Sequence, residues 1–183
     1  MRLLRGLARA GAESPRVLIL GSFPSEKSLW RGEYYGNERN HFWVLLGLLL
    51  GFEPSAPYAE RLARLERAGI ALWDVIASCE REGSLDQDIR GETPNPLAEY
   101  IGSRPGIGRL ALNGGKAAAS FAAHIAPGLR LSVGETGSWV PAFAPERRIL
   151  IARLPSSSPV PTRDFRSASD KLRLWSDFIA DSA

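Results

Sequence analysis

The segment from Gly21 to Trp43 (GSFPSEKSLWRGEYYGNERNHFW) is dense in residue types that could do chemistry. It contains a tyrosine pair, two asparagines and three basic side chains, which are Tyr34, Tyr35, Asn37, Asn40, Lys27, Arg31 and Arg39. Aromatic faces interleaved with cations suit a planar base that lies beside phosphate groups. About 19 residues separate the preceding apolar run from the next helical pattern, and structureless loops of that length are usually functional. The alternative is a compact surface loop packed on its own Trp30 and Tyr34.

Two further segments place polar groups where an apolar run ends. The sequence NGGK at 113–116 is not a nucleotide-binding loop, because Leu110 stands where that pattern needs glycine and Ala117 where it needs Ser or Thr. A glycine turn between a strand and a helix is the better interpretation. Leu154–Pro159 (LPSSSP) sets three hydroxyls between two prolines. Hydroxyls and backbone amides can bind phosphate oxygens or line a groove, and a plain turn is the alternative.

The strands and helices that must position these segments are predicted to form an α/β protein. Four short apolar runs are typical of buried parallel strands, at 16–21, 70–76, 109–113 and 148–154. Helical patterns lie between and after them, at 40–50, 57–68, 95–102 (with Asn95 as N-cap), 115–126 and 165–179. The alternation predicts a three-layer α/β/α sandwich around a mainly parallel, four-stranded sheet. Because ligands bind beyond the carboxyl ends of such strands, the polar segments and Asp74 should meet at one edge.

Length and composition limit the possible classes of function. The 183 residues suit a single domain, in which we expect residues 1–14 to be poorly ordered or peripheral. With one cysteine, Cys79, and two histidines, His41 and His124, the chain lacks the ligands of an all-cysteine or multi-histidine metal site. No apolar run is long enough to span a bilayer, and no secretory signal is recognisable. We therefore expect a cytoplasmic protein without metal. We further expect a monomer that needs no cofactor.

The net charge and the remaining motifs exclude fewer classes of function than the length and composition do. The net charge is +3, and 20 of the 23 basic residues are arginine, which favours bidentate phosphate contacts without demanding them. A serine hydrolase is disfavoured because no GxSxG turn is present, and dinucleotide binding because no GxGxxG follows a strand. We interpret His124 as structural, while His41 remains open between a structural and a functional role.

Four motifs, in order, resemble the hypoxanthine-DNA (deoxyinosine) glycosylases, a branch of the uracil-DNA glycosylase superfamily. They are GSFPSEKSLWRGEYYGNERNHFW, ALWDVIASCEREGSLDQDI, ALNGGKAA and LPSSSP, and the resemblance spans roughly residues 15 to 180. It implies a parallel sheet between helices and an enzyme that needs no cofactor and no membrane. It also implies double-stranded DNA with a deaminated base as the partner.

The resemblance implies roles for residues of the first two motifs. Gly21, Ser22 and Phe23 fall in the loop that positions water in relatives, which carry Asp or Asn where this chain has Phe23. Since a phenyl ring cannot polarise water, that duty passes to Asn40, the catalytic residue that the resemblance indicates. Tyr35 should stack on the extruded base with Phe42 in reserve, and Asp74 should read the base edge.

The resemblance also implies where DNA is bound. LPSSSP should press into the minor groove, and the residues expected to contact DNA are Lys27, Arg39, Asn113, Lys116, Pro155, Ser156, Ser157 and Ser158. The branch usually has His-Pro where this chain has Asn37-Glu38, and Glu38 brings negative charge towards DNA. The expected reaction is hydrolysis of the N-glycosidic bond of hypoxanthine, with uracil and xanthine as further candidates, to leave an abasic site. The alternatives are a uracil-preferring glycosylase and a DNA-binding module without turnover.

Overall fold

The computed structural model describes residues 3–179. Its strands are β1 (Leu3–Arg5), β2 (Ala10–Gly11), β3 (Val17–Gly21), β4 (Ile70–Asp74), β5 (Ile76–Glu80), β6 (Arg90–Pro94), β7 (Arg109–Asn113), β8 (Thr136–Trp139) and β9 (Ile149–Leu154). Its α-helices are α1 (Glu26–Arg31), α2 (Phe42–Leu50), α3 (Tyr58–Arg67), α4 (Leu97–Gly102), α5 (Gly115–His124) and α6 (Ala168–Ile179). A single 3-10 turn, Asp86–Asp88, lies between β5 and β6.

The main sheet has the strand order β2-β4-β3-β7-β9-β8. Its four central strands are parallel, and β2 and β8 pair antiparallel at the two edges. The predicted α/β class is therefore confirmed, but the predicted number of four strands is wrong, since the sheet is mixed and has six. The edge strands escaped prediction because β2 has two residues and β8 reads TGSW, so neither carries an apolar run.

The apolar runs form central strands because both faces of the sheet are covered. Side chains such as Ile19 and Leu72 pack with α2, α3 and α6 on one face. Their sequence neighbours Leu18 and Ala71 pack with α4 and α5 on the other face. Alternate residues of one strand thus enter two separate cores, which explains why the strands are continuously apolar.

A second, antiparallel sheet has the order β1-β5-β6. The predicted strand at 70–76 is in fact two strands, because the chain leaves the main sheet after Asp74 and enters β5 at Ile76. The segment before residue 15, expected to be poorly ordered or peripheral, adds an edge strand to each sheet. The second sheet therefore begins next to the carboxyl end of β4, where it can contribute to a site.

Two local predictions need correction. The long segment after β3 is not structureless, because it contains α1, which Ser25 caps by accepting from the amide of Ser28 at 3.2 Å. Asn95 does not cap α4, which begins at Leu97. Its side-chain amide instead donates to the carbonyl oxygen of Asp74 at 2.9 Å, so Asn95 fixes the end of β4. Within residues 3–179, no helix combines the length and apolarity needed to cross a membrane.

Candidate active site

A cavity of about 530 Å³ opens at the carboxyl edge of the main sheet. Its walls come from residues 21–25, 28, 34–35, 37, 40, 74, 84–87, 113 and 156–160. This volume lies within the range of about 300–1,000 Å³ that is usual for small-molecule sites. Tyr35, Asn40 and Asp74, which the sequence singled out from separate segments, all line it.

Tyr35 is held rigidly in the wall of this cavity. Its ring stacks on Phe42 with centroids 3.7 Å apart and an angle of 15° between the planes. Its hydroxyl accepts from Nδ2 of Asn113 at 3.0 Å. Its backbone has φ 53°, a left-handed conformation that costs a bulky residue of order 1–3 kcal/mol and persists only where the surroundings enforce it. One ring face is therefore occupied by Phe42, and the opposite face is the one that a planar ligand can meet.

Phe42 itself does not line the cavity. It is completely buried and packs edge-on against Trp43 and Trp175. The prediction that Phe42 holds a base in reserve is corrected accordingly, because its exposed surface is zero and Tyr35 covers its face. Its place in the structure is to support the ring of Tyr35 from behind.

Asn40 stands at the start of α2 with its side chain fixed. Its Oδ1 accepts from the amide of Phe42 at 2.9 Å, which satisfies one of the unpaired donors of the first helical turn. One lone pair of Oδ1 and both hydrogens of Nδ2 remain for a ligand or water. The next residue, His41, donates its backbone amide to the carbonyl oxygen of Ser157 at 2.9 Å, so α2 is tied to the LPSSSP loop.

Asp74 ends β4 with its carboxyl group buried and under-partnered. The residue is 4% exposed, and no hydrogen bond reaches its Oδ2 from any residue that the structure describes. Gly21 lies opposite in the sheet register, and a side chain there would collide with Oδ1 of Asp74 and the Tyr35 hydroxyl. Burial, and secondarily the charge of Asp86, raises the pKa of Asp74 to about 7. At neutral pH the group is therefore divided between its acid and carboxylate forms.

Sequence reasoning missed two charged residues of the second sheet region, Arg81 and Asp86. Oδ1 of Asp86 accepts from the Ser22 hydroxyl at 2.7 Å, and Asp86 lines the cavity. Arg81 is 3% exposed, donates to the Pro24 carbonyl oxygen at 2.5 Å and lies 5.0 Å from the ring centroid of Phe23. Both residues lie in the motif ALWDVIASCEREGSLDQDI, which the sequence analysis quoted without assigning a role to either of them.

Asn113 organises the loop opposite Asp74. Its Nδ2 donates to the Tyr35 hydroxyl and, at 2.9 Å, to the Ser157 hydroxyl, while its Oδ1 accepts from the Ser157 amide at 2.8 Å. Asn113 and Ser157 are buried, and so is Pro155, whose carbonyl oxygen accepts from Nε1 of Trp175 at 3.0 Å. Asn113 and Ser157 line the cavity, and the prediction that these three residues contact DNA stays a prediction.

The solvent-accessible residues of the LPSSSP loop and of the segment after it include Ser156, Ser158 and Val160. Ser156 and Ser158 are half-buried and line the cavity. Val160 also lines it and is 60% exposed, which is unusual for an apolar side chain at the rim of a polar site. The sequence motif ended at Pro159 and so missed Val160.

A buried lysine of the last helix, Lys171, ties the two walls together. Its Nζ donates to the Ser158 carbonyl oxygen at 2.8 Å and lies 3.0 Å from Nδ1 of His41. Lys171 is 2% exposed, and burial lowers its pKa. Burial also lowers the pKa of His41, and the neighbouring ammonium lowers it further. His41 is thus a neutral acceptor in a structural tie.

Three basic residues were predicted to contact DNA, namely Lys27, Lys116 and Arg39, and their surroundings differ. Lys27 and Arg31 pair with Glu38 at 3.2 and 2.7 Å, and these hydrogen bonds lower the pKa of Glu38. Lys116 pairs with Glu92 and does not line the cavity, and its predicted contact with DNA stays a prediction. Arg39 is exposed next to Asn40. The charge of Glu38 is thus largely compensated within its own loop.

Comparisons with known proteins agree with this architecture. The chain is 38% identical over 105 residues to a hypoxanthine DNA glycosylase of Methanosarcina barkeri, a match that covers 57% of this chain and 66% of the relative. It is 37% identical over 114 residues to a hypoxanthine DNA glycosylase of Methanosarcina acetivorans, covering 62% of this chain and 72% of the relative. No family model matches the chain.

The solution structure of a Methanosarcina acetivorans protein assigned as a uracil DNA glycosylase is similar over 99% of both chains. The TM-score is 0.74 at 28% sequence identity. The fold and the position of the cavity therefore define a protein of the uracil-DNA glycosylase superfamily. Within this superfamily, the chain belongs to the hypoxanthine DNA glycosylase family and is a DNA glycosylase.

Proposed function

We propose that the protein removes deaminated bases from double-stranded DNA by hydrolysis, with hypoxanthine as the principal base and xanthine and uracil as related ones. The observation that carries this proposal is a single cavity in which the aromatic ring of Tyr35, the amide of Asn40 and the buried carboxyl group of Asp74 meet. The names of the two curated relatives support the preference for hypoxanthine.

A base reaches such a cavity only after leaving the duplex. Extrusion costs a few kcal/mol and is cheapest for a base that pairs poorly, as a deaminated base does. Tyr35 offers a flat face that is already oriented by Phe42 and Asn113, so little further ordering is needed when the base stacks. The carboxyl group of Asp74 can accept from a ring N–H as a carboxylate, or donate to a carbonyl oxygen or ring nitrogen as the neutral acid.

Bond cleavage requires stabilisation of an oxocarbenium-like sugar and of the departing base anion. Asn40 donates through Nδ2 or orients water through its remaining Oδ1 lone pair. One such donor is typically worth about 10²–10³-fold in rate. The amides of Gly21 to Phe23 lie along the same wall and are further donor candidates.

The lysines favour simple hydrolysis over a lyase reaction, which needs an amine nucleophile. The whole chain has three lysines, and each one has a partner. Lys27 pairs with Glu38, Lys116 pairs with Glu92, and Lys171 is buried against Ser158 and His41. We therefore expect a monofunctional enzyme that leaves an abasic site.

At the cavity rim, Ser158, Pro159 and Val160 are the residues that we propose for entry into the DNA groove. Val160 is apolar and 60% exposed, as expected of a side chain that fills the space left by an extruded base. Arg39 is exposed beside Asn40, which supports it as a further proposed contact with the phosphate backbone.

The decisive experiment is single-turnover excision on labelled duplexes that contain inosine, xanthosine, deoxyuridine or adenosine at one position, followed by alkaline cleavage. We expect strand breaks with the deaminated bases, most with inosine, and no adduct trapped by borohydride. Binding to the inosine duplex without any excision would make the protein a damage-binding module instead.

The site assignment is tested by Asn40→Ala, with Asn37→Ala as the matched control. Both side chains line the cavity, but Oδ1 of Asn37 accepts from the amide of Arg39 at 3.1 Å on the exposed side of the loop. Asn40→Ala should lower excision about 100-fold or more with nearly unchanged DNA affinity. Equal losses in both variants would refute the specific role of Asn40.

A further inference from the structure

Two carboxyl groups from different elements line the cavity. Asp74 ends β4 in the main sheet, and Asp86 begins the 3-10 turn that connects β5 to β6 in the second sheet. They flank the same two residues, because Gly21 faces Asp74 in the sheet register and Ser22 donates its hydroxyl to Asp86 at 2.7 Å. Oδ2 of Asp74 is buried and has no hydrogen-bond partner among residues 3–179.

The proposed hydrolysis needs a group that takes a proton from water, and Asn40 cannot supply it. A carboxamide is not basic at neutral pH. Phe23 has no polar group to accept a proton, and it packs with Ile76, Cys79 and Ile89. Among the described side chains that line the cavity, the carboxylates of Asp74 and Asp86 are the groups that can accept a proton near neutral pH.

The surroundings of the two carboxyl groups are unequal. Asp74 is buried without a partner for Oδ2, an arrangement that favours the neutral acid. Asp86 accepts from the Ser22 hydroxyl. Burial raises the pKa of Asp86, while the Ser22 hydrogen bond and the positive charges of Arg81 and Lys116 lower it, so the carboxylate of Asp86 has stabilising partners that Oδ2 of Asp74 lacks. Pairs of acids whose environments differ in this way divide the roles of acid and base between them.

We propose that Asp86 is the general base of the reaction and Asp74 its general acid. This inference rests on the proposed glycosylase function and adds a catalytic residue to it. As the bond between C1′ and the base nitrogen breaks, its electron pair stays with the base, to which Asp74 gives its proton. The water oxygen bonds to C1′, and the proton of the water passes to Asp86. The free base and an abasic sugar result, and one proton returns from Asp86 to Asp74 through solvent.

The test is Asp86→Asn, compared with Asp88→Asn in the same 3-10 turn. Asparagine at 86 keeps an oxygen that can accept from Ser22, so the loop contact survives while the basic group is lost. The expected result is a loss of about 100-fold or more in the single-turnover excision rate. Binding to a duplex with 2′-fluoro-2′-deoxyinosine, which resists cleavage, should change by about twofold or less, and Asp88→Asn should behave like the wild type.

The pH profile separates catalysis from a structural role. The wild-type rate should rise at acidic pH as Asp86 ionises and fall as Asp74 loses its proton. The charged or titratable groups around this pair are Arg81, Lys116, Glu92, Tyr34 and Tyr35. Asp86→Asn should abolish the rising limb, and it should move the falling limb to lower pH because a negative charge near Asp74 is removed.

The outcomes distinguish the two proposals. Wild-type excision together with an unchanged rate or an unchanged rising limb in Asp86→Asn would overturn the role of Asp86 alone. Equal losses in Asp86→Asn and Ser22→Ala would reduce Asp86 to a residue that positions the loop. If the wild type excises none of the deaminated bases, the proposed function itself fails.

Discussion

Replacing Asp74 with asparagine should stabilise the fold, and the gain should grow with pH. The carboxyl group has an ordinary pKa of 3.8, and burial raises it to about 7 in the folded state. The folded protein therefore binds more protons than the unfolded chain between these values, so stability is lost as pH rises through this window. At 1.36 kcal/mol for each tenfold change in affinity, the full cost above pH 7 is of the order of 4 kcal/mol.

Asparagine has nearly the same shape and carries no charge, so the variant avoids this cost. Urea unfolding of both proteins at pH 5 and pH 8.5 measures the effect, because groups common to both cancel in the difference. We expect the variant to gain roughly 2–3 kcal/mol relative to the wild type between these two pH values. Asp88→Asn serves as the control. A stability difference that does not change with pH would refute the assignment of Asp74 as a buried acid.

Three further predictions concern DNA binding. Tyr35→Ala should weaken binding to the uncleavable 2′-fluoro-2′-deoxyinosine duplex roughly 5- to 150-fold, since base stacking on an aromatic ring is worth about 1–3 kcal/mol; an unchanged Kd would remove Tyr35 from the site. Glu38→Gln removes the ion-pair partner of Lys27 and Arg31. The slope of log Kd against log salt should then steepen by about 0.9 for each additional phosphate contact. An unchanged slope would show that this loop does not face DNA. Lys171→Met removes the donor to the Ser158 carbonyl oxygen and should weaken DNA binding by loosening the Ser158 loop; an unchanged Kd would contradict this.

The central strands were predictable from the sequence because burial on both faces demands continuous apolar residues. The meeting of Tyr35, Asn40 and Asp74 in one cavity was predictable as well, because parallel strands bring their carboxyl ends to a common edge. The edge strands were not predictable, since their pairing depends on the neighbouring strand more than on their own residues.

The missed residues of the site differ in how far the sequence could have revealed them. Lys171 lies three residues after Ala168 and four before Trp175, on the buried stripe of α6, so a lysine there was a recognisable anomaly. Asp86 lies in a motif that the sequence analysis quoted, but nothing in that motif assigned it a role. Its arrival at the cavity depends on the second sheet, whose strands are too irregular and polar to give a clear pattern.

The tie between Lys171 and His41 joins positions 130 residues apart in the chain. Contacts between positions so far apart in the chain form late in folding, because closing the long loop between them costs conformational entropy before the contact can stabilise the fold. During refolding, recovery of excision should therefore lag behind recovery of the helical signal in circular dichroism. Enzymatic turnover is consequently a stricter reporter of the finished native state than secondary structure content.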